Sequence, residues 1–212
     1  MARMWPQEIP LWVLTNERRS AEIRVYKKLQ EVLDDEWDVF YSRPWWGIGR
    51  NGEEVDGEAD FILLNANAGL LFIEVKGGQI EYDPSHEQWS TTDRYGGRYK
   101  IKNPVEQAKA CRYRFYDRLK EDSSWPKQRV KFRYGVIFTD TKEPNSSTKS
   151  IGPYERELFC HEKEFELALV DWIDYRLRDL PDSREIGPGV EGSKVVRTLI
   201  ASPITLSISL NR

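Results

Sequence analysis

Residues 60–78 read Asp-Phe-Ile-Leu-Leu-Asn-Ala-Asn-Ala-Gly-Leu-Leu-Phe-Ile-Glu-Val-Lys-Gly-Gly. Two apolar runs lie on either side of the short polar segment 65–69. Apolar runs of this length, joined by a few Asn and Gly residues, are typical of two strands in a β-hairpin. The paired glycines that follow Lys76 end the second strand. This stretch therefore predicts a buried hairpin at the centre of a sheet.

The register of this hairpin brings three charged side chains together. If Leu64 pairs with Leu70, then Asp60 lies opposite Glu74, with Cβ atoms about 4.5–5.5 Å apart. Alternation along the strand places Lys76 on the same face as Glu74. Two carboxylates at such a short distance repel each other, and an apolar strand gives them no water to screen the repulsion. A cation, a shared proton or the lysine ammonium must therefore compensate their negative charge.

A divalent metal ion is one way to compensate this pair, because Mg²⁺ is commonly held by one or two carboxylates together with water and phosphate. The alternative is a buried ion pair between Glu74 and Lys76, with Asp60 capping a strand. Buried ion pairs contribute little to stability, since desolvation offsets their attraction. This consideration favours a functional site.

The rest of the chain predicts helices and strands in a mixed order. Helical spacing of apolar residues and plausible N-caps at Asn16 and Asn103 indicate the first two helices. The predicted elements are a helix over 16–34, a strand over 37–46, a Gly- and acid-rich loop over 47–58, short strands over 79–101, a helix over 103–122, a strand over 129–140 and a helix over 162–180. This order predicts an α/β fold with a central sheet.

Two polar residues fall on the predicted helices at positions that invite a functional interpretation. Glu22 lies on the apolar stripe of the first helix, in line with Val25 and Leu29. The alternative is an edge position near the helix start, where the helix dipole favours a carboxylate. Gln107 lies at the border of the buried stripe of the second helix. It is either a site residue or an ordinary boundary glutamine.

The charge distribution indicates a basic surface although the formal net charge is −3. Between Arg94 and Arg133 there are thirteen Lys or Arg and four Asp or Glu, a local balance of +9. Basic residues interleaved with aromatics suit a phosphate backbone and stacked bases. The alternative is a solvated helix face whose aromatics lie in the core. The candidates for backbone contacts are Lys109, Arg112, Arg114 and Arg118.

Four stretches in this order resemble the nuclease-related domain (NERD) family, within the restriction-endonuclease-like superfamily. They are Ser20-Ala-Glu-Ile-Arg-Val-Tyr, Gly57-Glu-Ala-Asp-Phe, Gly69-Leu-Leu-Phe-Ile-Glu-Val-Lys-Gly-Gly and Asn103-Pro-Val-Glu-Gln-Ala. The resemblance covers residues 16–122. It implies a restriction-endonuclease-like core, in which a central mixed sheet is flanked by helices.

The same resemblance implies roles for individual residues. Asp60 and Glu74 would hold Mg²⁺ or Mn²⁺, and Lys76 would orient or activate the attacking water. Glu22 and Gln107 would support the site. The implied activity is that of a metal-dependent nuclease that hydrolyses phosphodiester bonds in DNA, in DNA processing or defence.

Both ends of the chain are similar to segments that flank this domain in proteins that continue into a helicase. The resemblance therefore implies a helicase or ATPase, as a partner or as a further C-terminal domain. The sequence lacks the Gly-x-x-x-x-Gly-Lys-Ser/Thr phosphate loop, so this chain is not itself that ATPase. The alternative function is a non-catalytic nucleic-acid-binding or regulatory module of a helicase assembly. A scaffold that binds an acidic protein is a third possibility.

Composition and a Gly/Pro-rich break suggest how the chain divides into domains and where the protein is located in the cell. We expect a nuclease-like domain over 1–182 and a C-terminal extension or linker over 183–212, because Gly187-Pro-Gly189 breaks the pattern. The segment from Val195 ends in an alternating strand pattern at 204–210. No apolar run approaches the ~20 residues of a membrane span, and no signal-peptide layout precedes the domain. We therefore expect no membrane partner, a cytoplasmic protein and two free thiols.

Overall fold

The computed structural model describes residues 1–48, 54–143, 150–181 and 183–201. In chain order its strands are β1 (Arg3–Trp5), β2 (Trp37–Ile48), β3 (Glu54–Asn65), β4 (Gly69–Lys76), β5 (Gln79–Asp83), β6 (Gln88–Thr92), β7 (Arg98–Ile101), β8 (Phe132–Phe138), β9 (Ser150–Ile151), β10 (Tyr154–Glu155) and β11 (Phe159–Cys160). The helices are α1 (Leu11–Leu14), α2 (Ser20–Val32), α3 (Pro104–Lys120), α4 (Glu162–Leu167), α5 (Leu169–Leu177) and α6 (Gly189–Val196).

Six strands form a central mixed sheet in the order β1-β2-β3-β4-β8-β11. The middle pairs β2–β3 and β3–β4 are antiparallel, whereas β4–β8 and the two edge pairs are parallel. Strands β5, β6 and β7 form a separate antiparallel meander. The predicted α/β fold with a central sheet flanked by helices is confirmed, and it is consistent with a restriction-endonuclease-like fold.

The central hairpin has the predicted register, since Leu64 pairs with Leu70 and the ladder continues to Phe61 and Ile73. The predicted loop over 47–58 is wrong in extent. Strand β2 runs on to Ile48 and β3 begins at Glu54, and these two residues pair with each other. Cross-strand backbone hydrogen bonds sustain this ladder through a segment whose Gly and acidic content alone disfavours a strand.

Helices cover both faces of the sheet because side chains alternate along each strand. Val39, Phe61 and Ile73 pack on one face against α2 and α5. Phe40 and Phe72 belong to the other face, which α3 and α6 cover. The site described below lies where α2 and α3 both reach the ends of β3 and β4.

The single helix predicted over 162–180 is wrong, because Ala168 interrupts it. Its backbone (φ −144°, ψ 30°) is not helical, and it separates α4 from α5. The apolar stripe nevertheless continues across the break, since Phe165, Leu169 and Ile173 are all buried at helical spacing. Leu177 ends α5 and is buried, whereas Leu180, the last residue of the predicted helix, lies beyond α5 and is 43% exposed.

The first part of the predicted C-terminal extension packs on the domain. Residues 189–196 form α6 and residues 197–201 a π-helical turn, so the segment from Val195 begins as a helix. Val195, Val196 and Ile200 are buried on the α3 face of the sheet. The strand pattern at 204–210 lies outside the described residues, and the domain boundary at 182 stays a prediction. Cys111 and Cys160 are buried in separate parts of the core and are not joined to each other by a disulfide.

Candidate active site

The three charged residues of the central hairpin converge at the end of its paired region. Asp60 and Glu74 stand one position beyond the last pair, Phe61 and Ile73. Asp60 Oδ2 accepts a hydrogen bond of 2.7 Å from the Val75 backbone N–H. The buried Glu74 carboxylate pairs through Oε1 with Lys76 Nζ at 2.5 Å. The ion-pair alternative requires a Glu74–Lys76 pair and a capping contact of Asp60, and both contacts are present.

The first turn of α2 adds a third carboxylate to this group. Glu22 Oε2 accepts hydrogen bonds from the Tyr41 hydroxyl at 2.8 Å and from Arg19 Nη1 at 3.0 Å. The Glu22 side chain is only 17% exposed. The apolar stripe of α2 turns this residue towards the sheet, which explains why a carboxylate lies among core residues.

Glu58 is the fourth carboxylate, and the sequence analysis missed it as a site residue. Arg19 binds it through both oxygens, at 2.9 Å and 3.2 Å, and the Ser42 hydroxyl donates to Oε1. Carboxylate oxygens of Glu22, Glu58 and Asp60 lie within 4.8 Å of one another. The available signal was the spacing of Glu58 and Asp60, which puts them on one face of a strand. The loop predicted over 47–58 hides this spacing, because side chains alternate between two faces only within a strand.

The charges of this cluster do not balance. Four carboxylates, those of Glu22, Glu58, Asp60 and Glu74, face the two cations Arg19 and Lys76, which leaves a net charge of −2 if all are ionised. Oxygen ligands and a net charge of −2 suit a hard divalent cation. The residues present therefore fit Mg²⁺ or Mn²⁺ by their chemistry.

The pKa values of the acids reflect this excess of negative charge. Burial and the neighbouring charge of Glu74 raise the pKa of Asp60 well above its ordinary value. Burial likewise raises the pKa of Glu74 and that of Glu22. Glu58 differs: burial would raise its pKa, but the hydrogen bonds from Arg19 and Ser42 prevail and lower it. Burial and mutual repulsion thus favour the protonated forms of three of the four acids, and a bound cation would oppose this.

Lys76 remains an ammonium group in this environment. Burial favours its neutral form, but the charges of Glu74 and Asp60 outweigh burial and raise its pKa. A lysine with a raised pKa is a poor general base at neutral pH. It can still donate hydrogen bonds and stabilise negative charge. Of the two roles that the family resemblance implies, orienting a water suits this lysine better than deprotonating it.

Helix α3 brings Gln107 towards this end of the molecule. Its Oε1 is buried and has no hydrogen-bond partner among the described residues. Cys111, one turn further along α3, donates from Sγ to the Glu58 carbonyl oxygen at 3.3 Å. A buried amide oxygen without a partner costs free energy, and such a group calls for a functional explanation. Gln107 stays a candidate site residue.

The four predicted backbone-contact residues divide between two flanks of α3. Arg112 stacks on Tyr134 of β8, with 4.9 Å between the guanidinium carbon and the ring centre, so its flank looks towards β8. At 100° per residue Lys109 shares that flank. Arg114 and Arg118 lie seven and eleven residues after Gln107. These spacings are two and three helical turns, so both arginines share the flank of Gln107, which faces β3.

The β8-side flank borders an open cleft of about 520 Å³. Arg112, Arg129 and Arg133 line it, together with the tyrosines Tyr113 and Tyr116. Leu70 pairs with Phe132, whereas Lys76 pairs with Phe138. The cleft therefore lies at the opposite end of the sheet from the carboxylate cluster.

The aromatics of the predicted basic zone also divide. Phe115, Trp125 and Phe132 are buried in the core. Tyr95, Tyr99 and Tyr113 are exposed, so only part of the set is available to bases.

Comparison with known proteins defines the class to which this site belongs. The family model of the nuclease-related domain matches residues 17–149. The chain belongs to this family, as its sequence resemblance predicted, and the match spans α2, the central hairpin and α3. Neither the search of curated proteins nor that of solved structures finds a match. No helix in the described part of the chain has the length and apolarity to cross a membrane.

Proposed function

We propose that this chain is a metal-dependent nuclease that hydrolyses phosphodiester bonds in DNA, in DNA processing or defence. The observation that carries the proposal is the convergence of Glu22, Glu58 and Asp60 within 4.8 Å, beside the Glu74–Lys76 pair. The ion-pair alternative accounts for Glu74 and Lys76. It does not account for a group of carboxylates whose charges exceed those of their cations.

In this proposal Asp60 and Glu74 are the principal ligands of Mg²⁺ or Mn²⁺, and Glu58 and Glu22 complete or support the ligand set. The cation would polarise a phosphate oxygen and stabilise the leaving oxygen. Lys76 orients the attacking water by hydrogen bonding. Arg19 holds the Glu22 and Glu58 carboxylates in place, because one guanidinium binds both.

The nucleic acid would cross the face of α3. Arg114 and Arg118 follow Gln107 on the same flank, two and three turns further along α3, so they would hold the backbone as it runs along the helix away from the cluster. Arg112 and Lys109 on the other flank would contact a part of the strand that lies towards β8. A helicase, as a partner or as a further domain, would supply the strand; this part rests on the resemblance of the chain ends.

The competing proposal is a non-catalytic nucleic-acid-binding or regulatory module of a helicase assembly. One observation favours it: Lys76 already pairs with Glu74, and Asp60 already accepts from Val75, so these contacts need no metal. The two proposals differ in the result of a cleavage assay.

The assay compares supercoiled, linear and single-stranded DNA with Mg²⁺, Mn²⁺ or EDTA. We expect cleavage with Mg²⁺ or Mn²⁺, none with EDTA, and none by Glu74→Gln protein of unchanged circular dichroism. Glu157→Gln, which alters a glutamate on the 3₁₀ turn before β11, is the matched control and should cleave normally. Binding of DNA without cleavage under any of these conditions would support the non-catalytic module instead.

A further inference from the structure

Two exposed aromatic rings, Trp12 and Tyr95, are both connected to one short segment that also contacts the carboxylate cluster. This segment is the 3₁₀ turn Glu17–Arg19, which precedes α2. Arg19, which binds Glu22 and Glu58, places its guanidinium carbon 5.8 Å from the ring centre of Trp12. Glu17 pairs at 3.1 Å with Arg94, whose guanidinium carbon lies 4.8 Å from the ring centre of Tyr95.

Both rings are presented to solvent rather than packed in the core. Trp12 is 63% exposed on α1, a helix in which only Val13 is buried. Tyr95 is 79% exposed at the tip of the turn between β6 and β7. Asp93 Oδ1 accepts from the backbone N–H groups of Tyr95 and Gly97, both at 2.8 Å, which fixes that turn.

We propose that Trp12 and Tyr95 form a stacking site for unpaired nucleobases at the edge of the active site. The inference rests on the proposed function and names its substrate class, a DNA strand with unpaired bases. Every base has a π-face on which an aromatic ring can stack, and a duplex hides these faces between its base pairs. Arg19 and Arg94 lie against the two rings and add positive charge for the backbone.

The position of the rings gives the site a function that a general apolar patch lacks. Arg19 contacts the Trp12 ring and two of the carboxylates at once, so a base on Trp12 belongs to a nucleotide close to the scissile phosphate. Stacking there would hold a single strand across the cluster. A duplex would gain only the backbone contacts made by the arginines.

The test measures binding by fluorescence anisotropy in EDTA, so that the result does not depend on cleavage. The probes are a labelled 12-nucleotide single strand of mixed sequence and the same strand in a blunt duplex. The variants are Trp12→Ala, Trp12→Leu, Trp12→Phe and Tyr95→Ala. The matched control is Tyr175→Ala, because Tyr175 is also exposed and also stacks with an arginine, Arg178, at 3.6 Å.

Tyr175 is remote from the cluster. It lies near the end of α5, and Lys131, just before β8, donates to the carbonyl oxygen of Leu177 in the last turn of that helix. The start of β8 pairs with Leu70, at the start of β4. Lys76 ends β4 six residues later, and at about 3.3 Å per residue this separates it from Leu70 by about 20 Å.

We expect Trp12→Ala and Tyr95→Ala to weaken single-strand binding about tenfold each and duplex binding less than twofold. Trp12→Phe should restore most of the affinity, and Trp12→Leu should not, because leucine is apolar without a π-face. Equal losses for both probes, unchanged affinity, or full rescue by Trp12→Leu would each overturn the proposal; the last would indicate an apolar protein-docking patch. Selective loss in a protein that never cleaves would support the stacking site and refute only the nuclease.

Discussion

Replacing Asp60 with Asn should stabilise the metal-free protein at neutral pH. The pKa of Asp60 is raised, so the folded state loses stability as pH rises from the ordinary pKa of an aspartate through the raised value. The asparagine oxygen can still accept the hydrogen bond from the Val75 N–H. The variant thus removes a charge from the cluster and keeps a backbone contact.

The size of this effect follows from the spacing of the carboxylates. Two unit charges 4.8 Å apart repel by about 3.5 kcal/mol at an effective dielectric constant of about 20. The Asp60 carboxylate also bears the cost of burial and the repulsion of Glu74 and Glu22, and the Lys76 ammonium and the hydrogen bond from the Val75 N–H offset part of these. A net gain of about 1–3 kcal/mol remains, similar to other replacements of buried charges, and it raises the melting temperature by about 3–9 °C.

Thermal unfolding followed by circular dichroism in EDTA measures this gain, with Asp117→Asn on the exposed side of α3 as control. The gain should be smaller at pH 5 than at pH 7, because the raised pKa of Asp60 makes the wild type lose stability as pH rises. Added Mg²⁺ at about 100 times its dissociation constant should stabilise the wild type by about 2.7 kcal/mol and the variant much less. A variant less stable than the wild type in EDTA, or equally stabilised by Mg²⁺, would refute the reasoning.

Three further predictions concern the lysine, the basic helix and a buried histidine. Lys76→Ala should abolish cleavage but keep Mn²⁺ and DNA binding, measured by calorimetry and anisotropy; loss of metal binding or of folding would instead favour the ion-pair alternative. Arg114→Glu with Arg118→Glu should weaken binding of all DNA sequences alike and reduce its salt dependence, whereas binding indifferent to salt would point to a protein partner. Burial lowers the pKa of His161, so the protein should lose stability as pH falls below about 6.5, by at most about 1.4 kcal/mol per pH unit. Denaturant unfolding of wild type and His161→Gln at pH 7.5 and 5.5 checks this, and an equal pH dependence in both would contradict it.

The hairpin was predictable in detail because its signal is local. The alternation of side chains and the length of the polar segment fix the register, and the register brings Asp60, Glu74 and Lys76 together. The N-cap at Asn103 was likewise predictable, since its side chain accepts hydrogen bonds from the next backbone N–H groups of α3.

What the sequence did not reveal depends on contacts between distant segments. Glu58 belongs to the site because Arg19, 39 residues earlier, binds it, and no local pattern encodes that pairing. The strand around Glu58 forms through its ladder with β2, against its own composition. Periodicity divides the basic residues of α3 between two flanks, but only packing on the sheet decides that the flank of Arg112 faces β8.

The most direct test of the central claim is the rate of DNA cleavage as a function of free Mn²⁺ concentration, for the wild type and for Asp60→Asn. The carboxylate cluster predicts a wild-type rate that is zero without metal and saturates as Mn²⁺ rises. It predicts no cleavage by the folded variant at any concentration of Mn²⁺. A wild-type rate independent of Mn²⁺, or an Asp60→Asn protein that cleaves with the same dependence on Mn²⁺, would contradict the account.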